Sequence, residues 1–378
     1  MRNYHRKFFL FIILTITFCS FALSQTPQTT PDEQIKIVTE EVHLNVTAQT
    51  SGGRFVPTLT KDDLLIVEEG TPQTIESMKR VPASVLLLLD TGGNFNFAKT
   101  INMTRLTAKL LVQNLSSEDS IAVMQAYNKI ETVSGWTSAR DRIQDDLDKK
   151  LFGGNRSQFI NAVNGAIEMF KARPLENRHL VFIGDGLDSV ASAADRQRAL
   201  QNLLAANITV HVIAYNKMEA SRALGATRPF QIGEERETPR LPDHVLEAII
   251  ETMPRGMRDN FRRMVKSERL FVIRLDNKAI KVAKQKREEW IKGEAEFQTL
   301  AEDTGGIFQA PEEPETMLLF AHEIAKAIGS QYVVTYVPTK PFANAETAES
   351  RKIRVGTHCN GVQIRSRHKV VLNPVNDK

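Results

Sequence analysis

The spacing of apolar positions changes twice along this chain and divides it into three stretches. From 42 to 47 the run Val-His-Leu-Asn-Val-Thr alternates apolar and polar side chains, the period of two that marks a half-buried strand. Ser51-Gly52-Gly53 follows as a turn, 64–68 reads as a second strand closing on Gly70, and 73–78 as a third. Short alternating runs return only near the other end, at 331–337, 352–355 and 362–371. Neither end alone holds enough strand to cover its own faces. The simplest architecture is one β-domain assembled from both termini; two separate β-appendages are the alternative.

Between these ends the pattern becomes strand–helix alternation. Continuously apolar runs at 85–89, 121–124, 180–183 and 208–214 are what strands buried on both faces require. Amphipathic helix patterns at 100–115, 139–151, 158–173 and 193–205 fall among them. Gly305 to Phe308 reads as a short last strand, with a helix at 315–328 behind it and another helix expected near Phe297 to Ala301. The fold class is α/β: a doubly wound, mostly parallel sheet, flanked by the terminal β-structure.

The first residues add a destination. Arg2, Arg6 and Lys7 precede an apolar run from Phe8 to Phe18, and Ala22-Leu23-Ser24 places small residues at −3 and −1 of a cut before Gln25. An uncleaved anchor is the alternative, although the run is shorter than the ~20 residues that span a bilayer. The expectation is an exported chain, secreted or periplasmic, with no membrane contact after cleavage. The signal carries three of the positive charges behind a formal net charge of +4, so overall charge predicts no polyanionic partner. Cys19 leaves with it. Cys359 then has no partner for a disulfide and reads as a small buried apolar side chain.

In an open parallel sheet, ligands bind at the carboxyl ends of the strands. Three polar loops arrive there: Asp90-Thr91-Gly92-Gly93-Asn94, Gly153-Gly154-Asn155-Arg156-Ser157 and Gly184-Asp185-Gly186-Leu187-Asp188. Their order and spacing resemble the von Willebrand factor A domain, and more closely its bacterial, signal-peptide-bearing VWFA-related relatives. Leu59 to Leu64 with Glu69-Gly70, Ala301 to Gly306 and Gln331 to Tyr336 resemble further landmarks of that family, in the same order. The pattern of the chain together with this resemblance divides it into a signal peptide at 1–24, a leader at 25–34, a β-segment at 35–80, a von Willebrand factor A-like domain at 84–328 with an insertion at about 216–292, and a β-segment at 331–373.

It also implies a metal-ion-dependent adhesion site of the pattern Asp-x-Ser-x-Ser, Thr, Asp. Asp90 and Asp185 stand at the two acidic positions, and Ser157 where the Thr belongs. Gly92 and Asn94 replace the serines, and only Asn94 offers an oxygen. Magnesium wants six oxygens in near-octahedral geometry, so Mg2+ binding at Asp90, Asn94, Ser157 and Asp185 is expected to be weak or absent and the site degenerate. The function implied is protein binding of an adhesion or scaffold type, without enzymatic activity.

The other reading is a hydrolase using Asp90 and Asp185, aspartic protease-like or metal-assisted, since Asp90-Thr91-Gly92 resembles the aspartic protease loop. That chemistry needs two carboxylates sharing a proton, usually from two such loops, and the sequence holds one. Gly-x-Ser-x-Gly, phosphate-loop and His-Glu-x-x-His motifs are absent from the sequence. From Arg255 to Arg287 twelve Lys/Arg stand against three acidic residues. This run reads either as a solvated helix face or as a partner-binding arm through Arg255, Arg258, Arg262, Arg263 and Lys266. Its two aromatics, Phe261 and Phe271, are too few for single-stranded nucleic acid.

Overall fold

The computed structural model describes residues 41–93, 98–189, 191–227, 230–231, 247, 272–273, 277–340 and 349–372. Residues from Glu40 onward group as one unit.

The chain enters through β1 (Val42–Thr50), β2 (Leu64–Glu68), β3 (Thr71–Gln73) and β4 (Ile75–Lys79). The α/β layer then runs through β5 (Ser84–Asp90), α1 (Ile101–Asn114), β6 (Ser120–Ala126), β7 (Ile130–Thr137), α2 (Arg140–Lys150), α3 (Phe159–Lys171), β8 (Arg178–Gly184), α4 (Ala193–Ala205) and β9 (Thr209–Ala214). It continues with α5 (Asn216–Ala223), the short ribbon strands β10 (Phe230–Gln231) and β11 (Val272–Ile273), α6 (Asn277–Thr304), β12 (Phe308–Gln309) and α7 (Thr316–Ile328). The chain closes with β13 (Tyr332–Tyr336), β14 (Glu349–Thr357), β15 (Val362–Arg365) and β16 (Lys369–Leu372).

The central sheet has the order β12-β9-β8-β5-β6-β7, parallel except for the β7 edge. Strand β5 lies in its middle, and Val85 to Leu89 are all fully buried. Odd residues Val85, Leu87 and Leu89 join the core with α1 and α7, while Leu86 and Leu88 join the core with α3 and α4. Each buried leucine contributes roughly 1.5–3 kcal/mol. An uninterrupted apolar run is therefore what this position demands.

The terminal strands share sheets. Val42 to Val46 pair antiparallel with Tyr336 to Tyr332, giving the sheet β15-β1-β13-β4. A second sheet, β16-β14-β2-β3, also mixes the two ends. Leu44, Val46, Val334 and Tyr336 of the first sheet and Ile66, Ile353 and Val370 of the second form one apolar core, a β-sandwich.

Four details differ from the sequence expectations. The run 73–78 is two strands, because the chain crosses between the sheets at Thr74; the run 362–371 likewise splits at Ser366-Arg367. Strand β7 had no expected counterpart. Helix α6 starts at Asn277, well before Phe297. Cys359 is only half-buried against the sandwich core, its Sγ 3.5 Å from Asp63 Oδ1.

Candidate functional site

Parallel strands β5 and β8 are neighbours, so their carboxyl ends deliver Asp90 and Asp185 to the same rim. Both carboxylates are 2% exposed. Between them lies an amine that the sequence reading missed. Lys99 Nζ sits 3.0 Å from Asp90 Oδ2 and 3.0 Å from Asp185 Oδ2, and its side chain is also 2% exposed.

Lys99 is held there by its own backbone. The buried Glu219 of α5 accepts the Ala98 amide at 3.0 Å and the Lys99 amide at 2.7 Å through Oε1. Thr100 then caps α1, its side chain accepting from the Met103 amide. The lysine is thus fixed between a clamp and a helix start. The outer oxygens of the acids are also engaged: Asp90 Oδ1 accepts from the Gly92 amide and Asp185 Oδ1 from the Leu187 amide.

The charges of the trio set one another. Burial, opposed by the Lys99 charge and reinforced by that of Asp185, pushes the Asp90 carboxyl up to about 7. Burial would raise Asp185 too, but Lys99, a hydrogen bond from Asp90 and the Leu187 amide together hold it below the usual carboxylate range. Burial also works against the Lys99 charge, yet the two carboxylates prevail and keep its pKa above the usual lysine value. Near neutrality the cluster holds one ammonium, one carboxylate and a half-protonated Asp90. Its net charge therefore lies between zero and −1, less than two ionised carboxylates would leave without the ammonium.

The third loop completes the rim. Ser157 is 3% exposed; its amide donates to Ser189 Oγ and its carbonyl accepts from the Ser189 amide. Gly92 forms a parallel bridge with Gly154, and the Gly93 amide donates to the Gly154 carbonyl. Asp188 is occupied with local structure, accepting from the Ile160 amide at the start of α3 and from the Ala191 amide. On the Asp185 side, Asn216 Nδ2 links the Asp185 carbonyl at 3.2 Å to the Trp290 carbonyl of α6 at 2.9 Å. Gly186 has φ +64, and a Cβ there would lie 2.0 Å from the Phe297 ring of α6, so α6 packs directly on this loop.

Of the residues expected at the site, Asp90, Ser157 and Asp185 are placed on adjoining rim loops. Asn94 lies outside the described residues, as do Arg255, Arg258, Arg262, Arg263 and Lys266. The described end of the basic run, 277–287, opens α6, where Arg287 Nε donates to the Ala220 carbonyl.

Among the described residues the donor set does not fit a magnesium ion. An ammonium bridges the two carboxylates where the cation would stand, and residue 92 has no side-chain oxygen. Among the described residues no group of three or more His, Cys, Asp or Glu side chains is placed to hold a metal. No helix among them is long and apolar enough to cross a membrane.

Residues 85–187 match the family model of the von Willebrand factor type A domain. No curated protein matches the chain in sequence. Among solved structures the chain is similar to the conserved hypothetical protein BatB of Bacteroides thetaiotaomicron, at 14% identity over 65% of this chain and 98% of that one, with a TM-score of 0.36. It is also similar to a von Willebrand factor type A protein of Catenulispora acidiphila, at 10% identity over 90% and 75%, with a TM-score of 0.42. The manganese-loaded TRAP protein of Plasmodium vivax is a third, at 9% identity over 77% and 96%, with a TM-score of 0.37.

Proposed function

We propose that this chain, whose residues 85–187 match the von Willebrand factor type A domain model, is an exported protein-binding module whose rim works without a metal ion. The observation that carries this reading is the Lys99 ammonium bridging Asp90 and Asp185. In the metal-dependent form of such a rim, the cation both neutralises the acids and offers a coordination position to a partner. Here Lys99 neutralises them, and with all three side chains at 2% exposure it leaves no open charge for a partner to complete. Recognition then falls to the surface around the cluster, which the buried trio keeps rigid. The degenerate adhesion site is a structural element of the binding face.

The same geometry disfavours a hydrolase. Asp90 and Asp185 share a hydrogen bond and Asp90 titrates near 7, as a catalytic carboxyl pair would, but an acid pair must also touch its substrate. These two are buried against an ammonium. Export rests on the charged, apolar and small-residue segments of 1–24.

The test is partner capture from native envelope extract by the immobilised full chain, in EDTA and in millimolar Mn2+. Equal capture in both is expected. Capture that vanishes in EDTA would contradict the metal-independent reading.

A further inference from the structure

A second feature lies at the opposite end of β8 from Asp185. A cavity of about 750 Å³ opens between α3, the end of α4, the start of β1 and β16. Small residues leave the space at the end of α4, Ala205 and Ala206. Val42, Ile167, Leu175 and Val370 supply apolar wall. Its size falls within the roughly 300–1,000 Å³ of small-molecule sites.

Two buried arginines line it, and they differ. Arg178 is occupied: its guanidinium donates to the carbonyls of Pro174, Arg173 and Ala206, fixing the chain ends after α3 and α4. Arg367, at the corner between β15 and β16, is 5% exposed, and its guanidinium makes no hydrogen bond or ion pair among the described residues. Burial lowers its pKa to about 10, with the Tyr336 hydroxyl acting in the other direction, so it remains charged at neutral pH. An uncompensated buried charge is costly, and a guanidinium cannot shed its proton to escape that cost. The other lining cation, Lys171, is exposed and already paired with Glu168 at 2.7 Å. Of the lining acids, Glu168 is taken by Lys171, and Glu41 is 45% exposed and lies 3.9 Å from His43, so among the described residues the counter-charge for Arg367 is left to what the cavity holds.

We propose that this cavity binds a small amphipathic anion, its single oxyanion head on Arg367 and a short aliphatic body along Val42, Ile167, Leu175 and Val370. A planar guanidinium matches both carboxylate and phosphate oxygens, so either head satisfies the site. The site is independent of the Asp90 rim.

Calorimetric titration of the full chain with octanoate, octyl phosphate, octanol and inorganic phosphate tests it. One or both amphipathic anions should bind saturably, and the preferred one identifies the head group. Octanol, which lacks the charge, and inorganic phosphate, which lacks the body, should bind roughly ten-fold or more weakly. Arg367→Met should weaken the preferred anion by a similar factor. Ala205→Trp, which fills the space without altering charge, should abolish binding, with cooperative thermal unfolding confirming that each variant is folded. Octanol binding as well as octanoate, undiminished binding by Arg367→Met, or no binding of either anion to the wild-type chain would each overturn the proposal.

Discussion

The carbonyl oxygen of Arg156 occupies the space that a side chain on Gly92 would need: a Cβ there would lie 1.9 Å from it. The loss of a serine at this position is therefore built into the rim, because the Gly153-to-Ser157 loop has closed over the loop after β5. Gly92→Ser should not recreate a metal ligand. It should destabilise the fold by about 1–3 kcal/mol or more as the two loops are forced apart. Urea denaturation measures this; a Gly92→Ser chain as stable as wild type would mean that the loops separate freely.

A second prediction concerns acid stability. The Ile307 amide donates to His211 Nδ1, so His211 carries its proton on Nε2 and donates it to His179 Nδ1, 3.1 Å away; His179 Nε2–H then donates to Asn177 Oδ1 at 2.8 Å. Both rings are fully buried and neutral, burial lowering His179 to about 3 and His211 well below its usual value, with the His179 charge lowering it further. Unfolded imidazoles protonate near 6.5, so the unfolded chain takes up protons first and stability is lost as pH falls from about 6.5 toward 3, by up to about 1.4 kcal/mol per pH unit for each ring. Thermal midpoints measured between pH 7 and 4.5 should drop, and a His179→Gln, His211→Gln double variant should show a shallower slope. An unchanged slope in that variant would contradict the neutral relay.

Asp90 works in the opposite direction. Its folded value of about 7 exceeds the ordinary 3.8, so the folded chain holds the extra proton, and this contribution is lost as pH rises from about 4 to 7. Asp90→Asn keeps the Lys99–Asp185 pair and removes the titrating group. The variant should gain stability relative to wild type as pH rises through that window, read as the difference between their thermal midpoints at pH 5 and pH 8. A difference that does not change with pH would remove the raised pKa from the account.

The sandwich is joined across its two chain ends by a buried ion pair. Arg351 of β14 donates to Glu68 Oε1 of β2 at 2.6 Å, and the Tyr336 hydroxyl of β13 donates to Glu68 Oε2 at 2.8 Å. Glu68 and Arg351 are 4% and 3% exposed. Glu68→Ala leaves Arg351 with Glu349, 2.8 Å from its Nε, but takes the acceptor from the buried Tyr336 hydroxyl, and should cost about 1–3 kcal/mol in chemical denaturation. A loss below about 1 kcal/mol, typical of an exposed pair, would show that the pair is not sealed from water.

How much of this was legible in the chain depends on how local the signal was. The run Val85 to Leu89 announced a central parallel strand because burial on both faces leaves no alternation to hide it. Strand β7 was missed because it is an antiparallel edge, interrupted by Gly135 and largely polar on its exposed face. Helix α6 was obscured by the lysines of its first turns, although Trp290, Phe297, Leu300 and Thr304 fall on one face at helical spacing. The runs 73–78 and 362–371 read as single strands because alternation continues through the corner at which the chain changes sheet. Asp90, Ser157 and Asp185 followed from loop order at the sheet edge. Lys99 could not be found that way: its partners lie on two different strands, and only the folded sheet brings them to one amine.

The central claim is that this amine stands where a cation would. The most direct measurement is isothermal titration of Mn2+ into the full-length wild-type chain and into Lys99→Ala, with Asp90→Ala as a control. The account predicts no saturable binding in the micromolar range by wild type, and measurable binding by Lys99→Ala, in which two buried carboxylates lose their counter-charge. Micromolar or tighter binding of Mn2+ by the wild-type chain, abolished by Asp90→Ala, would contradict it.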